Sequence, residues 1–180
     1  IEGPSGSGKT TLLKILSGLI EPSNGAIYIN DHSFKGMNIN EYRSQVGQVL
    51  PEQMPFEGTL LENITFGNKA ISIDTVNKIV KEVGLQEFVR KQAKGINNEI
   101  LSQGQRLPHT VSKRLLLARA IVHEPKILLL KDALEHFEPT EAKRLMNYLT
   151  SPEKSWLLIV AGKNEDWKTV CNKNLRLESN

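Results

Sequence analysis

The 180 residues suffice for one domain with a sizeable core, and 39% apolar against 24% charged residues is ordinary for a soluble globular protein. The net charge of +3 comes from Lys and Arg spread along the chain without a basic block, which argues against a nucleic-acid partner, and the lone Cys171 excludes an internal disulfide. No stretch approaches the roughly 18 apolar residues of a membrane span, and the opening residues do not read as a signal peptide, so any membrane connection is expected through a partner or a missing segment.

In chain order, Thr10 to Leu19 reads as a helix with Leu12, Leu13, Ile15 and Leu16 on its apolar side, ended by Pro22, Asn24 and Gly25. Ala26 to Asn30 reads as a short strand followed by a turn at Asp31 and His32, and Val46 to Leu50 as another strand. Thr59 to Phe66 is mixed. Asp74 is expected to cap a helix carrying Val76, Ile79, Val80 and Val83 on one side. Glu87 to Arg106 is polar and expected to be loop-rich, and Val111 to Val122 is helical. Ile127 to Leu130 after Pro125, and Trp156 to Ala161, are continuous apolar runs of the kind found in buried parallel strands. Between them, Thr140 is expected to cap a helix bearing Leu145, Met146 and Leu149. The alternation predicts an α/β fold with a mainly parallel sheet. His32, His123 and His136 stand alone in sequence and read as surface or satisfied residues.

Gly3-Pro4-Ser5-Gly6-Ser7-Gly8-Lys9-Thr10 matches G-x-x-x-x-G-K-[ST] in full. Glycines let the backbone wrap closely with its N–H groups aimed at phosphate oxygens, and the following helix offers its positive end to the same anion. Lys9 would reach the β and γ phosphates, and the Thr10 hydroxyl would ligate Mg²⁺. The candidate nucleotide-binding residues are Gly3, Pro4, Ser5, Gly6, Ser7, Gly8, Lys9, Thr10 and Thr11. Such loops ordinarily follow a strand, and only Ile1 and Glu2 precede this one, so the chain is expected to be a fragment cut just upstream.

Three further segments extend the pattern. SGLIEPSNGAIYIND follows the loop helix. VGQVLPEQMPFEGTLLENI carries Phe56, Gly58, Thr59, Glu62, Asn63 and Ile64 in an F-x-G-T-I-x-E-N-I frame. LLLARAIVHEPKILLL carries Ala118, Arg119, Ala120, Pro125 and Lys126 in register. Over nearly its whole length the chain resembles the ATP-binding domain of ABC transporters, in its exporter form. The resemblance implies a P-loop core, about residues 1–50 and 111–180, plus a helical lobe, about residues 51–110. It implies a homo- or heterodimer in which ATP lies between the P-loop of one copy and the signature motif of the other. It also implies a membrane domain as partner, and a place on the cytoplasmic side of the cell membrane.

Several of the family's functional slots are changed. Leu101-Ser102-Gln103-Gly104-Gln105 looks like the L-S-G-G-Q signature, but ungapped register from Gly95 to Leu130 makes it a decoy. The signature slot then falls on Leu107-Pro108-His109-Thr110-Val111, and Asn98 to Gly104 fills the loop before it. Pro108 offers neither a hydroxyl nor an N–H, and His109 or Thr110 is left as substitute donor; equally, the segment simply caps a helix beginning near Val111. After Ile127–Leu130 the family has Asp-Glu, the metal aspartate and the water-polarising glutamate; here Lys131 and Asp132 stand there. Lys131 would repel Mg²⁺ or contact phosphate in its stead. Asp132 is a shortened base candidate or a surface aspartate. Pro51 takes the Q-loop glutamine position, with Gln53 as candidate metal-sensing replacement, Gly162 takes that of the switch histidine, with Lys163 next to it, and Glu138 that of the D-loop aspartate.

The resemblance therefore implies either a working ABC-type ATPase or a catalytically degenerate partner for which ATP is a structural or regulatory ligand. Hydrolysis by this chain alone is expected to be weak or absent, because these positions act as a unit. A translation- or nucleic-acid-linked ATPase of the same family is disfavoured by the exporter-like FEGTLLENI segment.

Overall fold

The computed structural model describes residues 1–100, 107–162 and 165–178. The segment Leu101–Gln105, expected to be a decoy signature, and Lys163 lie outside the described residues. Helix α1 (Lys9–Leu16) opens the fold, followed by the hairpin of β1 (Tyr28–Ile29) and β2 (His32–Ser33). The hairpin turns at Asn30 and Asp31, both with positive φ (46° and 66°), so His32 belongs to the second strand and not to the turn. Two consecutive left-handed residues are what a two-residue hairpin loop needs to match strand twist.

Helix α2 (Ile39–Ser44), which no periodicity announced, starts where the Asn38 side chain accepts the N–H groups of Asn40 and Glu41. Its Tyr42 hydroxyl donates to Leu16 O and its Arg43 guanidinium to Gly18 O, pinning the end of α1. Strand β3 (Val46–Val49) follows, then β4 (Gly58–Thr59) and α3 (Leu60–Thr65), whose start is a reciprocal Thr59–Glu62 capping box. Helix α4 (Ile73–Glu82) is capped by Ser72, whose hydroxyl accepts the Thr75 N–H; Asp74 lies inside the first turn, two residues past the cap it was expected to form. The polar stretch after it is more ordered than expected. It holds α5 (Gln86–Arg90), a 3₁₀ turn, and β5 (Glu99–Ile100) paired antiparallel with β4. Short elements of this kind rest on tertiary pairing, which local pattern does not carry.

Helix α6 (His109–Ile121) is buried on every side from Leu115 to Ile121, as a helix sandwiched between a sheet and a second helical layer must be. Strands β6 (Ile127–Lys131) and β7 (Leu157–Ala161) complete a three-stranded parallel sheet in the order β3-β6-β7. Helix α7 (Pro139–Leu149) begins with Pro139 after Glu138, so Thr140 sits within the first turn and is not its cap. The short α8 (Asp166–Val170) packs Trp167 inward.

Alternation along the central strands explains their unbroken apolar runs. Leu128 and Leu130 face a large core with α3, α4, α6 and α7, while Leu129 joins Leu13 of α1, Leu50 and Ala161 on the opposite face. Gly47 marks the tightest contact: a Cβ there would lie 2.0 Å from Ala120 O of α6. The α3–α6 layer is tied by a buried node in which Arg119 donates to Asn63 O and Asn63 Oδ1, both at 2.7 Å, with Phe56 and Phe66 flanking the guanidinium.

Candidate functional site

The loop at the N-terminus is held at the carboxyl edge of the sheet. The Ile1 amine donates to Val160 O of β7 at 2.6 Å, and Glu2 exchanges backbone hydrogen bonds with Leu175 and Leu177. From there the chain passes through Gly3 (φ 147°), Gly6 (84°) and Gly8 (86°), conformations that favour glycine. Gly3 forms the floor, where a Cβ would meet Leu177 O at 2.4 Å and Ser7 Oγ at 2.7 Å. At Gly6 and Gly8 a Cβ would meet no atom within 4 Å, so the backbone beside these two glycines is open.

Lys9 folds back over this cradle. Its ammonium donates to Gly3 O (2.7 Å), Pro4 O (2.6 Å) and Ser7 Oγ (3.2 Å), which fixes a positive charge at the mouth of the loop. Helix α1 starts at Gly8 with no side-chain cap, and its first turn holds Lys9, Thr10 and Thr11. A helix N-terminus without a capping side chain, a glycine-rich turn and a held cation are the elements from which anion sites are built. The residues present fit a triphosphate. A cavity of about 1450 Å³ lies elsewhere, between α1, β7 and the C-terminal segment, and contributes only the flank of the loop.

The profile of the family described as ABC transporter matches residues 1–135. The chain belongs to the ABC transporter family. It is similar to a Rickettsia typhi protein named as an export ATP-binding/permease protein, at 35% identity over 88% of this chain and 28% of that protein. It is also similar to the ATP-dependent permease MDL1 of Candida albicans (33% identity, 85% of this chain, 22% of that protein). The ATP-binding cassette sub-family B member 5 of Mus musculus matches at 31% identity over 85% of this chain and 12% of its own length. The chain thus spans less than a third of these relatives. A solved structure of a bacterial Atm1-family ABC exporter with ATP bound superposes with a TM-score of 0.84 at 22% identity, covering 99% of this chain and 31% of that one, and so shares the fold.

Set against the ABC-transporter pattern, the other slots hold unusual arrangements. Lys131 ends β6, is 8% exposed, and its ammonium donates to Asp132 Oδ2. Neighbours in a strand ordinarily point to opposite faces; Asp132 escapes that rule because its φ of 47° turns it out of the strand. Asp132 Oδ1 lies 3.1 Å from where a Cβ of Gly162 would stand, so the carboxylate sits over Gly162. Gln53 is turned to local backbone duty: its Oε1 accepts the Leu50 N–H at 2.9 Å, closing the turn that contains Pro51. Glu52 in the same turn pairs with Lys14 of α1 at 2.6 Å.

The segment expected to fill the signature slot, Leu107 to Val111, spans the start of α6. Leu107 and Val111 pack on the core, Pro108 precedes the helix and His109 is its first residue, two positions earlier than the expected start near Val111. His136 is not isolated. Its ring meets that of His109 edge to face with centroids 5.1 Å apart, which brings the signature slot against the loop after β6. Sequence separation hid this pair, since His136 has a left-handed φ of 69° that only the fold reveals. The Arg119–Asn63 node was likewise unassigned, although both residues stand in the family-like segments LLLARA and LLENI.

Mg²⁺ finds little here. It demands near-octahedral oxygen ligation, commonly with one or two carboxylates beside the phosphates. Thr10 is a suitable hydroxyl, but Lys131 ends β6 where the resemblance leads one to expect a carboxylate, Asp132 is paired with it, and Gln53 Oε1 is engaged by backbone. Among the described residues no group of three or more His, Cys, Asp or Glu is placed to hold a metal. The residues present do not fit the ion.

Proposed function

We propose that this chain is the ATP-binding domain of an exporter-type ABC transporter, coupling ATP binding to movement of a membrane domain. One observation carries the reading: the open glycine cradle with Lys9 held across its mouth at the start of α1. Gly3 to Thr11 bind the triphosphate through backbone N–H groups and the Lys9 ammonium. Pro108, His109 and Thr110 face a second nucleotide-binding domain, identical or different. Residues of about 51–110 form a helical lobe beside the core of about 1–50 and 111–180. Among the described residues no helix is long and apolar enough to cross a membrane. The membrane helices belong to a partner domain, and the site faces the cytoplasmic side of the membrane. The names of the relatives, export ATP-binding/permease and permease proteins, support this reading.

A second reading is favoured by the Lys131–Asp132 pair: a catalytically degenerate partner in which ATP is a structural or regulatory ligand. Asp132 as general base would have to leave Lys131 before it polarised a water. The test of the first reading is displacement of a fluorescent trinitrophenyl-ATP from the protein. Saturable binding displaced by ATP supports it; a signal that millimolar ATP leaves unchanged overturns it. Release of phosphate, measured on the same sample, separates the working ATPase from the degenerate partner.

A further inference from the structure

We infer that this site takes ATP without a divalent cation, because the Lys131–Asp132 ion pair stands where P-loop ATPases hold the carboxylate that binds Mg²⁺. The inference rests on the nucleotide reading above and adds the form in which the nucleotide is bound.

Position comes first. Lys131 follows Leu129 on the face of β6 that packs against Leu13 of α1. It pairs in register with Ala161, one residue past Val160, whose carbonyl receives the Ile1 amine just ahead of the phosphate loop. Lys131 therefore ends its strand at the level of the loop and on the loop's side of the sheet. In P-loop ATPases this strand end brings the aspartate that, with the loop Ser or Thr, holds the metal.

Charge comes second. A metal-binding pair of carboxylates requires a doubly charged cation to reach neutrality. Lys131 with Asp132 is neutral by itself, and the bond between them keeps the ammonium in place at 8% exposure. Gly162 leaves the volume over Asp132 free of a side chain, which lets this pair occupy the space. A metal entering beside it would meet repulsion from Lys131 and one carboxylate, Asp132, that Lys131 already holds.

The experiment is calorimetric titration of ATP into the protein, once with excess Mg²⁺ and once with excess chelator. The expected result is a Kd with chelator within about threefold of that with Mg²⁺. A Kd weakened more than about threefold by chelation overturns the inference while leaving the nucleotide reading intact. Absence of binding in both conditions overturns the nucleotide reading and this inference with it. The double variant Lys131→Asp with Asp132→Glu restores two carboxylates. It is expected to lose at least about tenfold in affinity under chelation and to regain it with Mg²⁺. A folded double variant with wild-type metal response refutes the role of Lys131, and the wild-type comparison decides the matter if the variant does not fold.

Discussion

Replacing Asn63 by Ala tests whether the buried node between α3 and α6 holds the two layers together. Asn63 is fully buried and its amide makes four hydrogen bonds. Oδ1 accepts from Arg119 Nη2 at 2.7 Å and from the Phe56 N–H at 2.9 Å, while Nδ2 donates to Phe56 O and Thr59 O at 2.9 and 3.0 Å. Arg119 remains charged at neutral pH, although burial lowers its pKa to about 10. The bond to the guanidinium is worth about 1.5–3 kcal/mol. The Phe56 and Thr59 groups lie nearer water, which can replace the lost partner, so each adds about 0.5–1 kcal/mol. The variant should lose about 3–6 kcal/mol, a large part of the 5–15 kcal/mol typical of a domain. Urea unfolding followed by circular dichroism measures this. A double-mutant cycle with Arg119→Met should recover about 1.5–3 kcal/mol as coupling. A loss below about 1 kcal/mol, or equal losses with and without Arg119, would refute the reasoning.

Gly47→Ala drives a methyl to 2.0 Å from the Ala120 carbonyl, so β3 and α6 must separate. The variant should lose more than about 3 kcal/mol or fail to fold, whereas Gly36→Ala, which meets no atom within 4 Å, should change stability by under about 0.5 kcal/mol. Similar melting temperatures for the two would contradict this. The carboxyl of Glu141 is held below its ordinary range by hydrogen bonds first from Arg144, then from Arg114. Its contribution is therefore complete above the ordinary carboxylate pKa and fades as pH falls through the lowered folded value. Wild type should exceed Glu141→Gln in urea midpoint at pH 7, with the gap closing in acid below the ordinary carboxylate pKa of 4.5; a gap independent of pH would show that Glu141 acts by packing alone.

The parallel sheet was legible because β6 and β7 are covered on both faces, leaving continuous apolar runs that end where the fold ends them. The phosphate loop was legible because its glycines and Lys9 serve one local geometry. What escaped is what depends on distant partners. Helix α2 is fixed by its Asn38 cap and by Tyr42 reaching back to Leu16, 26 residues away. Ser72 supplanted Asp74 as a cap because helix boundaries follow side-chain geometry that composition leaves undecided by a residue or two. Lys131 and Asp132 were read as separate substitutions, and only the left-handed backbone at Asp132 joins them into one ion pair. The Gln53 amide, a candidate metal ligand from proximity alone, turned out to close its own turn.

The central claim is that the loop from Gly3 to Thr11 is a nucleotide site, and Lys9 is its most direct probe. Lys9 both places charge at the mouth of the cradle and ties Gly3, Pro4 and Ser7 together, so Lys9→Ala removes a phosphate partner and loosens the loop. A charge-assisted bond of about 1.5–3 kcal/mol corresponds to a loss of roughly 10- to 150-fold in affinity. Calorimetric titration of ATP into wild type and Lys9→Ala, both folded by circular dichroism, is the measurement. The account predicts saturable binding by wild type and at least about tenfold weaker binding by the variant; equal affinity in the two proteins would contradict it.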